Sequence, residues 1–394
     1  MGLLEREAAA FFHTYKRLPL QIARGEGMYL YTIEGTRYLD MFAGIAVNAL
    51  GHAHPRVVKA IADQAARYVH LSNYFAQESQ VRLAELLLAS TGMARVFFAN
   101  SGTEAVEGAI KIARRWGSSR GKSHIVAFSN AFHGRTFGAL SLMDRPSYRD
   151  GFGPYLDGCA SLPFNDAGAL RSGVGPHTAA VILECLQGEG GIRPLAPDVV
   201  EALQDLRKQF GFLVIADEIQ TGVGRTGRFL ASEHFSLAPD LVTLAKPIGG
   251  GLPLGVILGA PSVAEILQPG MHGTTFGGNP VACAAGIAVL EELEERALVQ
   301  HAAAMGTLFL SLLRDVVSDF PLLCKEVRGK GLMIGLELTR EADPVVAAMR
   351  DRGILINGTD KSVLRFVPPL IVTTEEIHWT VTTLREVLSE ISSF

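Results

Sequence analysis

The sequence predicts an α/β fold: a large domain built on a mostly parallel sheet, with a smaller α+β domain beside it. Three observations carry this. Between Val96 and Gly259, short β-branched runs alternate with amphipathic helical stretches, the pattern of a sheet flanked by helices. At 394 residues the chain is longer than the ~250–300 residues over which one hydrophobic core keeps growing. Beyond Pro280 the alternation gives way to a long helical region and then to a mixture of short strands and helices.

Taken in order, the chain begins helical, turns polar from His13 to Arg17 and breaks at Pro19. Residues 28–32 and 37–41 flank a Glu34-Gly35 turn and read as a β-hairpin. Residues 44–55 are loop-like. Their two histidines, His52 and His54, have no acidic neighbour in sequence and make a poor metal site. Helices are expected from Pro55 to Tyr68 and from Gln80 to Ala89. Strands follow at 96–99, 124–128, 179–183, 212–216, 241–245 and 255–259, with helices after Asn100 and over 199–210. A helical region over 280–317 links to strands near 331–337, 354–356 and 363–367 and a helix over 345–352. Thr373 and Glu376 form the capping box of a last helix.

Composition narrows the function. An apolar share of 48% suits a packed interior, and a net charge of −4 with dispersed signs leaves no footprint for nucleic acid or an anionic membrane. Four cysteines stand far apart with no metal-binding spacing, which fits a reducing compartment. No apolar run approaches ~20 uninterrupted residues. The first residues carry acids where a signal peptide needs a basic segment. A soluble cytoplasmic protein without a metal is expected.

In an open α/β sheet the ligand crevice lies beyond the carboxyl ends of the strands, so the residues there matter most. Lys246 ends the apolar run 241–245 and precedes Gly249-Gly250-Gly251. Read alone, this window fits a strand-end lysine reaching to water as well as a buried one. Burial would lower its pKa and give a nucleophilic amine able to form a Schiff base with an aldehyde. Asp217 and Glu218 end another apolar strand, where an unpartnered carboxylate is costly and a buried cation is its natural partner. Ser101-Gly102-Thr103 lies between a strand and a helix; it is either an ordinary N-cap or a phosphate cradle on the helix dipole. Gly273-Thr274-Thr275 leads towards another helix start, at Pro280. Phe132 could stack on a flat ring, Arg135 could clamp a carboxylate, and Glu189 sits in a glycine loop. As a set, these residues match the needs of pyridoxal phosphate, which takes a Schiff-base lysine and a partner for its pyridinium nitrogen.

The windows Thr14 to Pro19, Gly44 to Pro55, Ser101 to Ala105, Phe132 to Thr136, Gln187 to Gly191, Asp217 to Gly227, Lys246 and Gly273 to Pro280 resemble the class III aminotransferases nearly end to end. Within them, the first two windows resemble the acetylornithine branch. The resemblance implies the fold type I architecture: residues 1–50 contribute to the small domain, 51–280 form the large cofactor-binding domain, and 281–394 complete the small one. It implies transamination of N2-acetyl-L-ornithine with 2-oxoglutarate in arginine biosynthesis; succinyl-diaminopimelate, ornithine and 4-aminobutyrate are the rival donors. It implies a homodimer with a shared site. Lys246 would hold pyridoxal 5'-phosphate and shuttle the proton, and Asp217 would keep the ring nitrogen protonated. Gly102 and Thr103 would hold the phosphate, with Thr275 of the partner subunit. Phe132 and the turn Glu218-Ile219-Gln220 would contact the ring, Gln220 at its phenolic oxygen. Arg135 would take the α-carboxylate of the donor, with Tyr15 and Thr274 lining the same pocket. Arg365 would bind glutamate's α-carboxylate, with Glu189 as its switch partner. Two departures from the family pattern are Pro247 after the lysine, and Cys185-Leu186 after Glu184.

Overall fold

Seven strands build the central sheet: β1 (Arg95–Ala99), β2 (His124–Phe128), β3 (Cys159–Leu162), β4 (Thr178–Leu183), β5 (Leu213–Asp217), β6 (Leu241–Leu244) and β7 (Gly255–Gly259). They belong to a computed structural model that describes Gly2 to Ser392. The spatial order is β1-β7-β6-β5-β4-β2-β3. β7 runs antiparallel to both neighbours and the other pairs are parallel, so the sheet is mixed.

Alternation along the strands explains how both faces are covered. Ile125, Ala127, Ala180, Ile182, Leu213 and Ile215 pack with Ala105, Val106, Ala109 and Ile112 of helix α1 (Gly102–Ser118). The residues between them, Val126, Phe128, Val181, Leu183 and Val214, pack with Val199, Ala202, Leu203 and Leu206 of the helix Pro197–Phe210. A strand period of two buried on both faces is what a helix-covered sheet requires. Parallel pairing sets Asp217 of β5 beside Thr243 of β6, three residues before Lys246. The carboxylate and the lysine therefore emerge at the same edge.

The chain ends meet on another layer. Strands Ile22–Glu26, Tyr29–Thr32 and Arg37–Asp40 form a meander, and Ile354–Leu355 adds to it in parallel beside Arg37–Asp40. A four-stranded antiparallel sheet follows in the order Cys324–Lys330, Met333–Leu338, Val363–Phe366, Asn357–Thr359. Glu376 and Thr373 exchange backbone and side-chain bonds at 2.9 and 3.3 Å, closing the capping box.

The expected helical region after Pro280 is two helices, Pro280–Glu295 and Leu298–Asp319, bent by 66°. Ala297, with φ 50°, makes the corner. Neither Gly nor Pro announces it. Strands Ile22–Glu26, β3 and Cys324–Lys330 were not expected from the sequence; the first and last are rich in charge and β3 lies at a sheet edge. No single helix among the described residues is long and apolar enough to cross a membrane.

Candidate active site

A cleft of about 460 Å³ opens at the carboxyl ends of the parallel strands. Its walls come from the turns after β1 (Gly102, Thr103), β2 (Phe132, His133, Arg135), β4 (Glu184), β5 (Asp217, Ile219, Gln220) and β6 (Lys246).

Lys246 follows β6 with a left-handed backbone, φ 51°, a conformation that non-glycine residues adopt at a cost. No hydrogen bond or ion pair among the described residues holds its ammonium. Burial, and then the charge of Arg365, push its pKa down to about 8, against the opposing carboxylates Glu189, Asp217 and Glu184. The result is an amine that reaches its neutral form far more readily than an ordinary lysine and faces the cleft.

Asp217 is 3% exposed. One oxygen bonds His133 Nδ1 at 2.7 Å; the other accepts from the Thr243 hydroxyl at 3.3 Å and the Ile219 amide at 3.1 Å. Burial works against a charged His133, yet the bond to Asp217 and its negative charge raise the imidazole's pKa. His133 Nε2 is buried without a partner among the described residues. Glu184 accepts from the Phe132 amide at 3.0 Å and the Gly188 amide at 3.1 Å. Burial lifts its carboxyl to about 7 and Asp217 adds to this, while the His133 charge and the two amides act the other way.

The strand-to-helix turn offers an anion site. Ser101 caps α1 by accepting from the Glu104 amide at 3.3 Å, which leaves the Gly102 and Thr103 amides without a partner among the described residues at the positive end of the helix. The turn rests on β7: a Cβ on Gly255 would lie 2.2 Å from the Ser101 carbonyl oxygen. Thr103 Oγ1 is bonded to Thr136 Oγ1 at 2.8 Å.

Phe132 meets Tyr148 edge-on at 5.8 Å, and the exposed Arg135 guanidinium lies 3.8 Å from the Tyr148 ring centre. Val47 closes another side of the cleft. It follows four residues with positive φ, Ala43 to Ala46, whose entry is held by the Asp40 carboxylate through the Phe42 and Ala43 amides at 3.1 and 2.8 Å. Behind the cleft, Arg365 is 1% exposed. It pairs with the Glu189 carboxylate and donates to Gln220 Oε1 at 3.3 Å and Asn357 Oδ1 at 3.2 Å. Burial disfavours a charged Glu189, but Arg365 outweighs it and holds the carboxyl below its usual range.

Thus the structure brings Lys246, Asp217, Gly102, Thr103, Phe132, Arg135, Ile219 and Gln220 to one cleft, with Glu189 and Arg365 at its back. Other expected contacts fall elsewhere. Glu218, expected at the cofactor, points away from the cleft: its buried carboxylate accepts from the Thr221 hydroxyl and from the Ala231 and Ser232 amides at 2.9 and 2.8 Å. Strand alternation turns it to the opposite face from Asp217. Thr274 and Thr275 line a separate cavity of about 580 Å³ with His70, Asn73 and Tyr74. Tyr15 is 74% exposed beside the N-terminal helix. Within one chain these three do not line the cleft. His133 and Glu184 had no expected role. His133 lies inside the Phe132 to Arg135 motif, but its partner Asp217 is 84 residues away in sequence.

The cleft's chemistry fits pyridoxal phosphate: an unpaired lysine for an aldehyde, amides at a helix start for a phosphate, and a buried carboxylate for a ring nitrogen. A family model for class III aminotransferases matches residues 11–388. The chain belongs to the class III aminotransferases. This aminotransferase is 46% identical to an acetylornithine aminotransferase of Methanothermobacter thermautotrophicus, over 99% of each chain. Among solved structures it is similar to the ornithine aminotransferase of Toxoplasma gondii, with a TM-score of 0.94 at 32% identity, covering 99% of this chain and 95% of that one. It is also similar to an amine transaminase from an uncultivated Pseudomonas species in its PLP-bound form, with a TM-score of 0.90 at 30% identity, covering 97% and 98%.

Proposed function

We propose that this aminotransferase uses pyridoxal 5'-phosphate to move the ω-amino group of N2-acetyl-L-ornithine to 2-oxoglutarate, giving N-acetyl-L-glutamate 5-semialdehyde and L-glutamate in arginine biosynthesis. The observation that carries the reading is the pair of the buried Arg365 with the half-buried Glu189, beside an unpaired lysine of pKa about 8. When bound, the cofactor supplies an electron sink that makes the C–H beside the amine acidic.

The chain's own residues do the rest. Lys246 would hold the cofactor through its aldehyde group, and its amine would carry the proton at the reacting carbon. Asp217, oriented by His133, would keep a proton on the ring nitrogen. The Gly102 and Thr103 amides would seat the phosphate, Phe132 and Ile219 would flank the ring, and Gln220 would contact its phenolic oxygen. Arg135 takes the donor's α-carboxylate. Paired with Glu189, Arg365 presents a neutral wall to the acetylornithine chain; released, it binds the α-carboxylate of glutamate. One cleft thereby serves two substrates with differently placed charges.

The site is completed by a second copy. Thr275 of the partner subunit joins the phosphate, and Thr274 and Tyr15 line the donor pocket from elements outside this chain's own cleft. Supporting this, Val69, Tyr74, Phe75 and Phe276 are exposed apolar residues near the second cavity, Tyr74 by 97%. The strand Ile354–Leu355 paired beside Arg37–Asp40 supports a small domain made of residues 1–50 and 281–394, with 51–280 as the large domain. Free cysteines fit a cytoplasmic setting.

The test is kcat/KM with 2-oxoglutarate for N2-acetylornithine against ornithine, 4-aminobutyrate and succinyl-diaminopimelate. A preference of tenfold or more for acetylornithine supports the reading. A preference for ornithine, the substrate in the Toxoplasma neighbour's name, would replace it with the second reading, an ornithine-type ω-aminotransferase.

A further inference from the structure

The loop carrying Glu189 is tied down along its length. The Glu189 backbone carbonyl accepts two hydrogen bonds, from the Arg145 guanidinium at 2.6 Å and from the Thr359 hydroxyl at 2.9 Å. Arg145 precedes the short helix Pro146–Arg149 and also faces the Asp360 carboxylate at 3.6 Å. Thr359 ends the strand Asn357–Thr359, which pairs with the strand bearing Arg365 and sets Asn357 opposite Arg365 itself. The carbonyl of the glutamate and the arginine it meets are therefore referenced to the same two-stranded ladder.

The flanking residues are held as well. The Gln187 side-chain Nε2 donates to the Ser129 carbonyl at 2.8 Å, Gly188 N–H to Glu184 at 3.1 Å, and Arg328 Nε to the Gly191 carbonyl at 2.8 Å. The space around the backbone is filled: a Cβ at Gly190 would lie 2.4 Å from Gln187 Oε1 and 3.0 Å from the Asn130 carbonyl oxygen. Moving this loop would break all these bonds together. Rotating the Glu189 side chain, which is 22% exposed, breaks only its contact with Arg365.

We propose that Arg145 and Thr359 are positioning residues that clamp the Glu189 backbone carbonyl, so that Glu189 meets and leaves Arg365 by side-chain rotation about a fixed backbone. The proposal rests on the reading of Glu189 and Arg365 as a substrate switch, and it explains how that switch closes without a moving loop. Rotamer changes of a partly exposed side chain take picoseconds to nanoseconds, whereas loop motions are slower. The clamp sets where the carboxylate returns to, and hence how fully Arg365 is masked while the ω-amino donor is bound.

The test compares the cofactor-loaded enzyme with Arg145→Ala, Thr359→Val, the double variant, Arg145→Lys and Glu189→Ala. In each, the bleaching of the cofactor band in single half-reactions gives the ratio of kcat/KM for N2-acetylornithine over L-glutamate. The double variant is expected to lower this ratio about tenfold, through better use of glutamate and weaker use of acetylornithine. Arg145→Lys, which keeps a charged donor, should restore most of it, and melting temperature should not track the ratio. If Glu189→Ala shifts the ratio and the double variant does not, the clamp is overturned and the switch survives. If Glu189→Ala leaves the ratio unchanged, the switch falls and the clamp with it. Should the double variant not fold, each single variant is expected to lower the ratio about threefold, and no change in either overturns the clamp.

Discussion

The lowered pKa of Lys246 has a kinetic consequence that can be worked through. Only the neutral amine attacks an aldehyde, and its pKa falls from 10.5 to about 8 because burial and Arg365 outweigh the nearby carboxylates. At pH 7 an ordinary lysine is neutral in roughly three molecules per ten thousand, and one with a pKa of 8 in roughly one per eleven, a gain of about 300-fold. The perturbation is pH, and the assay is the rate at which cofactor-free protein takes up pyridoxal phosphate, followed by the appearance of its bound absorption band. The logarithm of the rate should rise with unit slope from pH 6 to near 8 and then flatten. Glu189→Gln removes a charge that favours the ammonium, so the break should move to lower pH. Lys246→Arg should show no covalent uptake and serves as the blank. A wild-type rate that climbs without a break to pH 10 would show that Lys246 titrates as an ordinary lysine and that burial and Arg365 do not shift it.

The same shift has a stability sign. Lys246 has a folded pKa below its unfolded one, so its burial costs stability fully below pH 8, and the cost fades as pH rises from about 8 to 10.5. Lys246→Met should therefore stabilise the cofactor-free protein at pH 7 by up to roughly 3 kcal/mol, and by little at pH 11, as read from thermal melts. Asp217→Asn removes the charge that raises the His133 pKa and that, in the proposed reading, would face the ring nitrogen, so kcat should fall at least about a hundredfold while the cofactor still binds to Lys246. Gly255→Ala would press a methyl against the Ser101 carbonyl and move the phosphate turn; a destabilisation of about 1–3 kcal/mol and cofactor affinity weakened tenfold or more should appear in melts and equilibrium titration.

Local pattern carried most of the large sheet, because strands buried on both faces are continuous apolar runs with turns between them. Strand Cys324–Lys330 was illegible for the opposite reason: its Lys325, Glu326, Arg328 and Lys330 charges leave no apolar run to read. The corner at Ala297 was illegible because no glycine or proline marks it. At the site, Asp217 stands out because it ends an apolar strand where a charge has no local reason to be, and Lys246 stands out only through the residues that accompany it along the chain. Pairing is a different matter. The His133 contact to Asp217, the Glu184 hold on Phe132, and the turning of Glu218 towards Ala231 and Ser232 depend on how distant segments meet. No spacing in the chain encodes those contacts. The left-handed run at Ala43 to Ala46 is likewise set by the Asp40 carboxylate rather than by glycine, which occupies one of its four positions.

The most direct test of the account is an absorption titration of the pyridoxal-phosphate-loaded protein, first with N2-acetylornithine and then with 2-oxoglutarate. The band of the lysine-bound cofactor should be bleached by the first and restored by the second, with both half-reactions lost in Lys246→Ala. A band that forms but ignores acetylornithine, while responding to ornithine or 4-aminobutyrate, would contradict the proposed donor. A protein that forms no band at all would contradict the assignment of the cleft itself.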